Sequence, residues 1–318
     1  MIEVKDLVKK YGSHLAVDHL SFTLESGKIY GFLGPNGAGK STTMNIMTGY
    51  LGATQGSVLI DGHDILKEPE EAKKQIGYLP ELPPLYMDMT VQEYLEFAAE
   101  LKKLPKEKRE SDISEVMKLT RLQDVSDRLI KNLSKGYKQR VGLAQAILGF
   151  PEIIILDEPT VGLDPKQIIE IRELIRTLSK KHTVILSSHI LAEVREVCDY
   201  ILIISKGKLV ASDTPENLEL LRNGASSLEL EVKAAPETVR AILSTIDDID
   251  AMEMHSENEN LTRVKLETKN GADIREAIFY AFAEEKCPLL EMKTAKASLE
   301  DIFMELTQKE ESNDAGNL

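Results

Sequence analysis

Short, nearly unbroken apolar runs recur along the first part of the chain: Ile29 to Leu33, Ser57 to Ile60, Ile153 to Leu156, Val184 to Ser187 and Ile201 to Ile204. Most lack the alternation of a half-solvated strand, so they predict strands buried on both faces of a largely parallel sheet. Helical spacing fills the gaps between them, over Lys40 to Met47 and Gln167 to Lys180. The texture changes between about 82 and 149, where Val91 to Leu101 and Ile113 to Leu119 carry helix-like spacing with few strand signals. This predicts an α/β core interrupted by a helical insert.

A second change falls near Asp213 to Gly224. Beyond it the pattern predicts strand (Ser227 to Lys233), helix (Pro236 to Ser244), strand (Ile249 to His255), strand (Asn260 to Thr268), helix (Ala272 to Glu285) and strand (Pro288 to Thr294). That β-α-β-β-α-β order is ferredoxin-like. A last helix, Ser298 to Thr307, opens on a Ser-x-x-Asp capping signal, and the polar tail 309–318 is expected to be disordered. The expected domains are therefore 1–220 and a small α+β domain at 221–308.

Composition narrows the function classes. The 318 residues carry 39 Lys and Arg against 53 Asp and Glu, a formal charge of −14. Such an acidic chain is not expected to coat nucleic acid. No apolar run approaches the roughly 20 residues of a membrane span, and no signal peptide is apparent. Cys198 and Cys287 stand far apart in no metal or redox spacing, which suits reduced thiols in the cytosol.

Nine of the 19 glycines fall between Gly27 and Gly62. Among them Gly34-Pro35-Asn36-Gly37-Ala38-Gly39-Lys40-Ser41-Thr42 fits the pattern G-x-x-x-x-G-K-[ST]. Such a loop turns its N–H groups inward on phosphate oxygens, and the following helix adds its positive end. Lys40 can reach the β- and γ-phosphates, and the Ser41 hydroxyl can ligate Mg²⁺. A strand before and a helix after favour this over a mere Gly-rich turn.

Two further strand ends carry chemistry. Ile153 to Leu156 runs into Asp157-Glu158, placing a carboxylate for the Mg²⁺ shell (Asp157) beside one able to orient the attacking water (Glu158). The alternative is two solvated charges, less common directly after four aliphatics. His189 closes Ser-Ser-His after another apolar strand, within reach of a γ-phosphate if both strands share a sheet.

These residues resemble the nucleotide-binding subunit of ATP-binding cassette (ABC) transporters. Leu133-Ser134-Lys135-Gly136-Tyr137 stands where that family has its signature, and Gly162-Leu163-Asp164-Pro165 looks like its D-loop. His189 matches the switch histidine, and Tyr11 the aromatic that stacks on adenine. The resemblance covers about 1–220 and implies a P-loop ATPase core with a helical subdomain. It implies ATP and Mg²⁺ as cofactors, Glu158, His189 and Lys40 as catalytic residues, and Ser41 and Asp157 at the metal. Two such subunits bind head to tail, so Ser134 and Gly136 would cradle the γ-phosphate held by a second subunit, here in a homodimer. A separate membrane permease completes the machine, placing this chain peripherally on the inner face of the membrane.

The match departs twice from the family pattern. Glu81 occupies the place of the family's glutamine, either as a stronger metal ligand or as a contact to the permease or solvent. Lys135 and Tyr137 replace the usual residues of the signature, with Ser134 and Gly136 kept. Both variants resemble a bacterial exporter branch of gliding-motility, copper-processing and peptide-antibiotic-resistance ATPases, as does Ser298 to Phe303. A soluble ABC ATPase acting on ribosomes or DNA is the alternative, disfavoured by the single cassette and the absence of long heptad arms. A nucleotide sensor without turnover is disfavoured by Glu158.

Overall fold

Strand residues 29–33, 153–156 and 183–188 are buried without exception, the expected fate of apolar runs that face helices or sheet on both sides. The computed structural model describes residues 1–220, 227–258, 260–269, 272–295 and 303. It divides into two units, Met1–Pro215 and Glu216–Leu318.

The first unit runs β1 (Ile2–Tyr11), β2 (His14–Leu24), β3 (Ile29–Leu33), α1 (Lys40–Met47), β4 (Gln55–Ile60), β5 (His63–Asp64), α2 (Pro69–Lys74) and β6 (Ile76–Leu79). It continues through α3 (Val91–Leu101), α4 (Lys106–Thr120), α5 (Lys135–Ile147), β7 (Ile153–Leu156), α6 (Pro165–Ser179), β8 (Thr183–Ser188), α7 (Leu191–Val197), β9 (Tyr200–Ser205) and β10 (Lys208–Asp213). Six strands form one sheet in the order β10-β9-β3-β8-β7-β6, parallel except for the β9–β10 pair. Four others form an antiparallel sheet, β2-β1-β4-β5. Met44 and Met47 of α1, Phe32, Ile155 and Ile185 share one core cluster with Ile2, Leu20 and Val58 of the antiparallel sheet. That cluster holds the two sheets and α1 together by apolar burial.

Two differences from the sequence reading both fall in the antiparallel sheet. Ser57 to Ile60 belongs to the antiparallel sheet, where burial alternates along β4. The sequence reading places no strand over 2–24, where bulges break the register of the long strands β1 and β2, with Asp6 and His19 at φ 47° and 51°. A bulge shifts the side-chain phase by one, so in β1 Lys5 and Asp6 are exposed in succession and Leu7 and Val8 buried in succession.

The helical segment carries strong local signals. Thr90 and Glu93 close a reciprocal capping box at the start of α3. Val91, Leu95, Ala98 and Ala99 form its buried face.

In the second unit, after α8 (Pro215–Leu220), the order is β11 (Ser227–Val232), α9 (Pro236–Leu243), β12 (Ile249–Asn258), β13 (Leu261–Thr268), α10 (Arg275–Glu284) and β14 (Leu289–Ala295). The strands pair antiparallel as β12-β13-β11-β14, the ferredoxin-like arrangement. Leu228, Leu230, Val264 and Leu266 cluster with Val239, Ile242, Ile278 and Phe282 of the two helices. Alternate positions carry ion pairs instead, Arg263–Glu231 and Lys293–Glu229, both at 3.0 Å. The expected helix 298–307 (Phe303 apart) and the tail 309–318 lie outside the described residues.

Candidate active site

β3, β8 and β7 are neighbours in the parallel sheet, so their C-terminal ends lie side by side. The crevice beyond such strand ends is where open α/β sheets take their ligands. Here it receives the loop 34–39 from β3, His189 from β8, and Asp157-Glu158 from β7.

The loop turns into α1 at Gly39, whose φ of 103° is closed to side-chain-bearing residues. A Cβ there would also stand 2.5 Å from the Ala16 carbonyl. No side chain caps α1 and no acid lies in its first turn, so its positive end is available to an anion. Lys40 folds back over the loop and donates to the carbonyls of Gly34 (2.7 Å) and Pro35 (3.1 Å). Burial pushes its pKa below the usual lysine value, opposed by the charges of Glu158, Asp157 and Glu81.

A cavity of about 450 Å³ opens over this loop. Tyr11, Asn36, Gly37, Ala38, Gly39, Lys40, Ser41, Thr42, Glu81, Glu158 and His189 line it, all singled out from the sequence. His14, Ala16 and Val161 line it as well and carried no sequence signal. Tyr11 is about half exposed (47%), with Lys9 Nζ 5.2 Å from its ring centre. The ring presents a face on which a base can stack.

Asp157 is buried, and its Oδ1 accepts hydrogen bonds from Ser41 Oγ at 3.1 Å and Ser187 Oγ at 2.5 Å. Glu158 adopts φ 49°, a left-handed conformation rare for a residue with a side chain. Its N–H donates to Ser187 Oγ at 2.9 Å, and its carboxylate lies 3.0 and 3.1 Å from His189 Nδ1. Ser187 carries no chemical signal of its own in the sequence, although it stands two residues before His189.

The hydroxyl of Ser41 and the carboxylate of Asp157 form a hard-oxygen pair suited to Mg²⁺, which commonly takes one or two protein carboxylates and completes its shell with phosphate and water. Glu81 adds a third oxygen group, lining a neighbouring cavity together with both of them. Among the described residues no trio of His, Cys, Asp or Glu gathers as a self-sufficient metal centre.

Ser134 and Gly136 are absent from the cavity lining. Ser134 caps α5, accepting from Tyr137 N–H at 3.4 Å. Gly136 lies beneath Gln167, whose Oε1 would be 2.5 Å from a Cβ there. The end of Lys135 packs against Gly162. Asp164 caps α6 by accepting from Gln167 N–H at 2.9 Å. The first turn of α5 is thus braced against the 162–167 turn of its own chain, outside the lining of the phosphate-loop cavity.

Residues 17–161 match the ABC transporter family model. Over 96% of its length the chain is 35% identical to the bacitracin transport ATP-binding protein BcrA of Bacillus licheniformis, covering 97% of that protein. The chain belongs to the ATP-binding subunits of ABC transporters. It is also 30% identical to the linearmycin resistance ATP-binding protein LnrL of Bacillus subtilis, over 96% of this chain and 98% of that one. Among solved structures, an ATP-binding subunit of an ABC transporter superposes with a TM-score of 0.64 at 32% identity, over 70% of this chain and 92% of the other. A dimeric cassette, MJ0796, in a post-hydrolysis state with ADP and phosphate, reaches 0.62 at 26% identity, over 67% of this chain and 98% of the other. This ABC subunit binds ATP and hydrolyses it, and its fold is that of the ABC ATPases.

Proposed function

We propose that this ABC ATPase works as one of two like subunits that drive a separate membrane permease, in an exporter. The observation that carries the reading is the split of the phosphate-binding parts. Loop 34–42, Asp157, Glu158 and His189 converge at one set of strand ends, while Ser134 and Gly136 are held elsewhere on the same chain. A second subunit, docked head to tail, would bring its Ser134 hydroxyl and the start of its α5 to the open side of the cavity.

Within each site, Tyr11 stacks on the adenine and the 34–39 loop N–H groups with Lys40 bind the phosphates. Glu158 orients and polarises the attacking water, and His189 holds the Glu158 carboxylate and reaches the γ-phosphate. Ser41 and Asp157, with Glu81 beside them, would hold Mg²⁺, which supplies positive charge against the phosphate oxygens. Residues 1–220 form the ATPase domain, and 221–308 an accessory domain. The exporter reading draws on relatives named for bacitracin transport and linearmycin resistance. Among the described residues no helix is long and apolar enough to cross a membrane; in this reading the permease holds the subunit at the inner face.

The test is Glu158→Gln. That protein is expected to bind ATP, to turn it over at least ~100-fold more slowly, as for loss of a general base, and to accumulate as an ATP-bound dimer in gel filtration. Wild-type turnover would remove Glu158 from its role. Recovery of the chain with ribosomes, and with no polytopic protein from membranes, would overturn the permease reading.

A further inference from the structure

Ser187 is wholly buried at the end of β8, between the strand that leads into the phosphate loop and the strand that ends in Asp157-Glu158. Its register partner on β3 is Phe32, and the preceding Leu186 pairs with Leu156 on β7. The hydroxyl therefore emerges level with Asp157. It uses both halves of its hydrogen-bonding capacity there, donating to Asp157 Oδ1 at 2.5 Å and accepting from Glu158 N–H at 2.9 Å.

We infer that Ser187 is a positioning residue for ATP hydrolysis, one hydroxyl that sets both the Asp157 carboxylate and the Glu158 backbone. The inference rests on the roles proposed above for those two acids. Its physical basis is the conflict at Glu158. A left-handed φ of 49° disfavours a side-chain-bearing residue, and such a conformation persists only where its surroundings over-determine it. The Ser187 acceptor is the group that holds the Glu158 N–H in that turn. The same turn presents the Glu158 carboxylate to His189 Nδ1 and to the cavity. At Asp157 the donated proton holds Oδ1, the atom that Ser41 Oγ also reaches.

A residue that only filled the core would influence stability alone. A positioning residue alters what Asp157 and Glu158 do while the fold stands. The experiment compares Ser187→Ala, which only removes atoms, with Ser187→Thr, which keeps the hydroxyl. Four quantities are read: kcat and KM for ATP, Mn²⁺ affinity by EPR titration with a non-hydrolysable ATP analogue, nucleotide affinity without divalent cation, and Tm.

Ser187→Ala is expected to lower kcat about tenfold or more, as loss of a hydrogen bond to a charged group does. It should weaken Mn²⁺ several-fold and leave metal-free nucleotide affinity unchanged, with Ser187→Thr recovering most of the loss. Wild-type kcat and Mn²⁺ affinity in a folded Ser187→Ala protein would overturn the inference. So would a Ser187→Thr protein of wild-type Tm that is as slow as Ser187→Ala. Glu158→Gln, run in parallel, separates the two levels. If it is inactive while Ser187→Ala is normal, the inference alone fails; if Glu158→Gln turns over normally, the catalytic reading fails and the inference falls with it.

Discussion

His189 Nδ1 stands 3.0 Å from Glu158 Oε2, so a ring from the end of β8 holds the carboxylate at the end of β7. Glu158 is buried whereas the His189 side chain is 44% exposed, which places the ring between the acid and the opening of the cavity. Removing the ring by His189→Ala leaves the acid without this partner. We expect kcat to fall by about a hundredfold, with nucleotide affinity within a few-fold of wild type. Steady-state ATPase assays with direct nucleotide titration read the two separately, and a change confined to affinity would contradict the assignment.

Gly136 gives a test of the two-subunit arrangement. A methyl group there meets the end of the flexible Gln167 side chain, which must swing off the first turn of α5. Gly136→Ala in a Glu158→Gln background is expected to weaken ATP-driven dimerisation by about tenfold, the scale of a small misplacement, without altering ATP binding by the monomer. Shortening the neighbour by Gln167→Ala should restore much of it, because the clash lies with a flexible side chain. Analytical ultracentrifugation of the three proteins decides the point. An equal loss of monomer ATP binding would place Gly136 at its own site instead.

Glu81 brings negative charge to a cavity that must take up phosphate. As a metal ligand it should matter most when Mg²⁺ is scarce. Glu81→Gln is expected to raise the Mg²⁺ concentration for half-maximal turnover several-fold, since a neutral amide oxygen is the weaker ligand. Saturating Mg²⁺ should return kcat to near wild type. An unchanged Mg²⁺ profile would leave Glu81 outside the metal shell.

Lys102 gives a prediction in pH. Its ammonium donates to the carbonyls of Ala146 (3.1 Å) and Leu148 (2.8 Å) at the end of α5, and burial pushes its pKa down to about 8. In the unfolded chain the group keeps its ordinary, higher pKa, so between about 8 and 10.5 the unfolded state binds more protons. Stability from this group therefore rises as pH rises through that window and is flat below it. Relative to Lys102→Met, the wild-type Tm should improve between pH 7 and pH 9.5. A constant Tm difference across that range would refute the depressed pKa.

Much of the site was legible because it is local in sequence. The loop 34–42 is contiguous, and its glycines, lysine and hydroxyls act through the turn and helix that the same residues form. Asp157-Glu158 and His189 were legible for a related reason, since each directly follows an apolar run whose length and composition mark a strand end. Two helices of the insert, over Val91 to Leu101 and Ile113 to Leu119, were equally readable from their 3.6-residue spacing.

Ser187 shows where such reading stops. Its neighbours in sequence say only that it ends a strand; its role depends on β8 lying between β3 and β7, which brings Ser187 against Asp157 from 30 residues away. The left-handed turn at Glu158, the brace of Gln167 on Gly136 and the assignment of β4 to the antiparallel sheet are likewise products of packing. Local chain chemistry thus settled the phosphate loop, the identities of the acids and those elements whose apolar pattern is unbroken. Sheet order and close packing settled which groups face one another, because distances between hydroxyl, carboxylate and backbone N–H are set by strands remote in the chain.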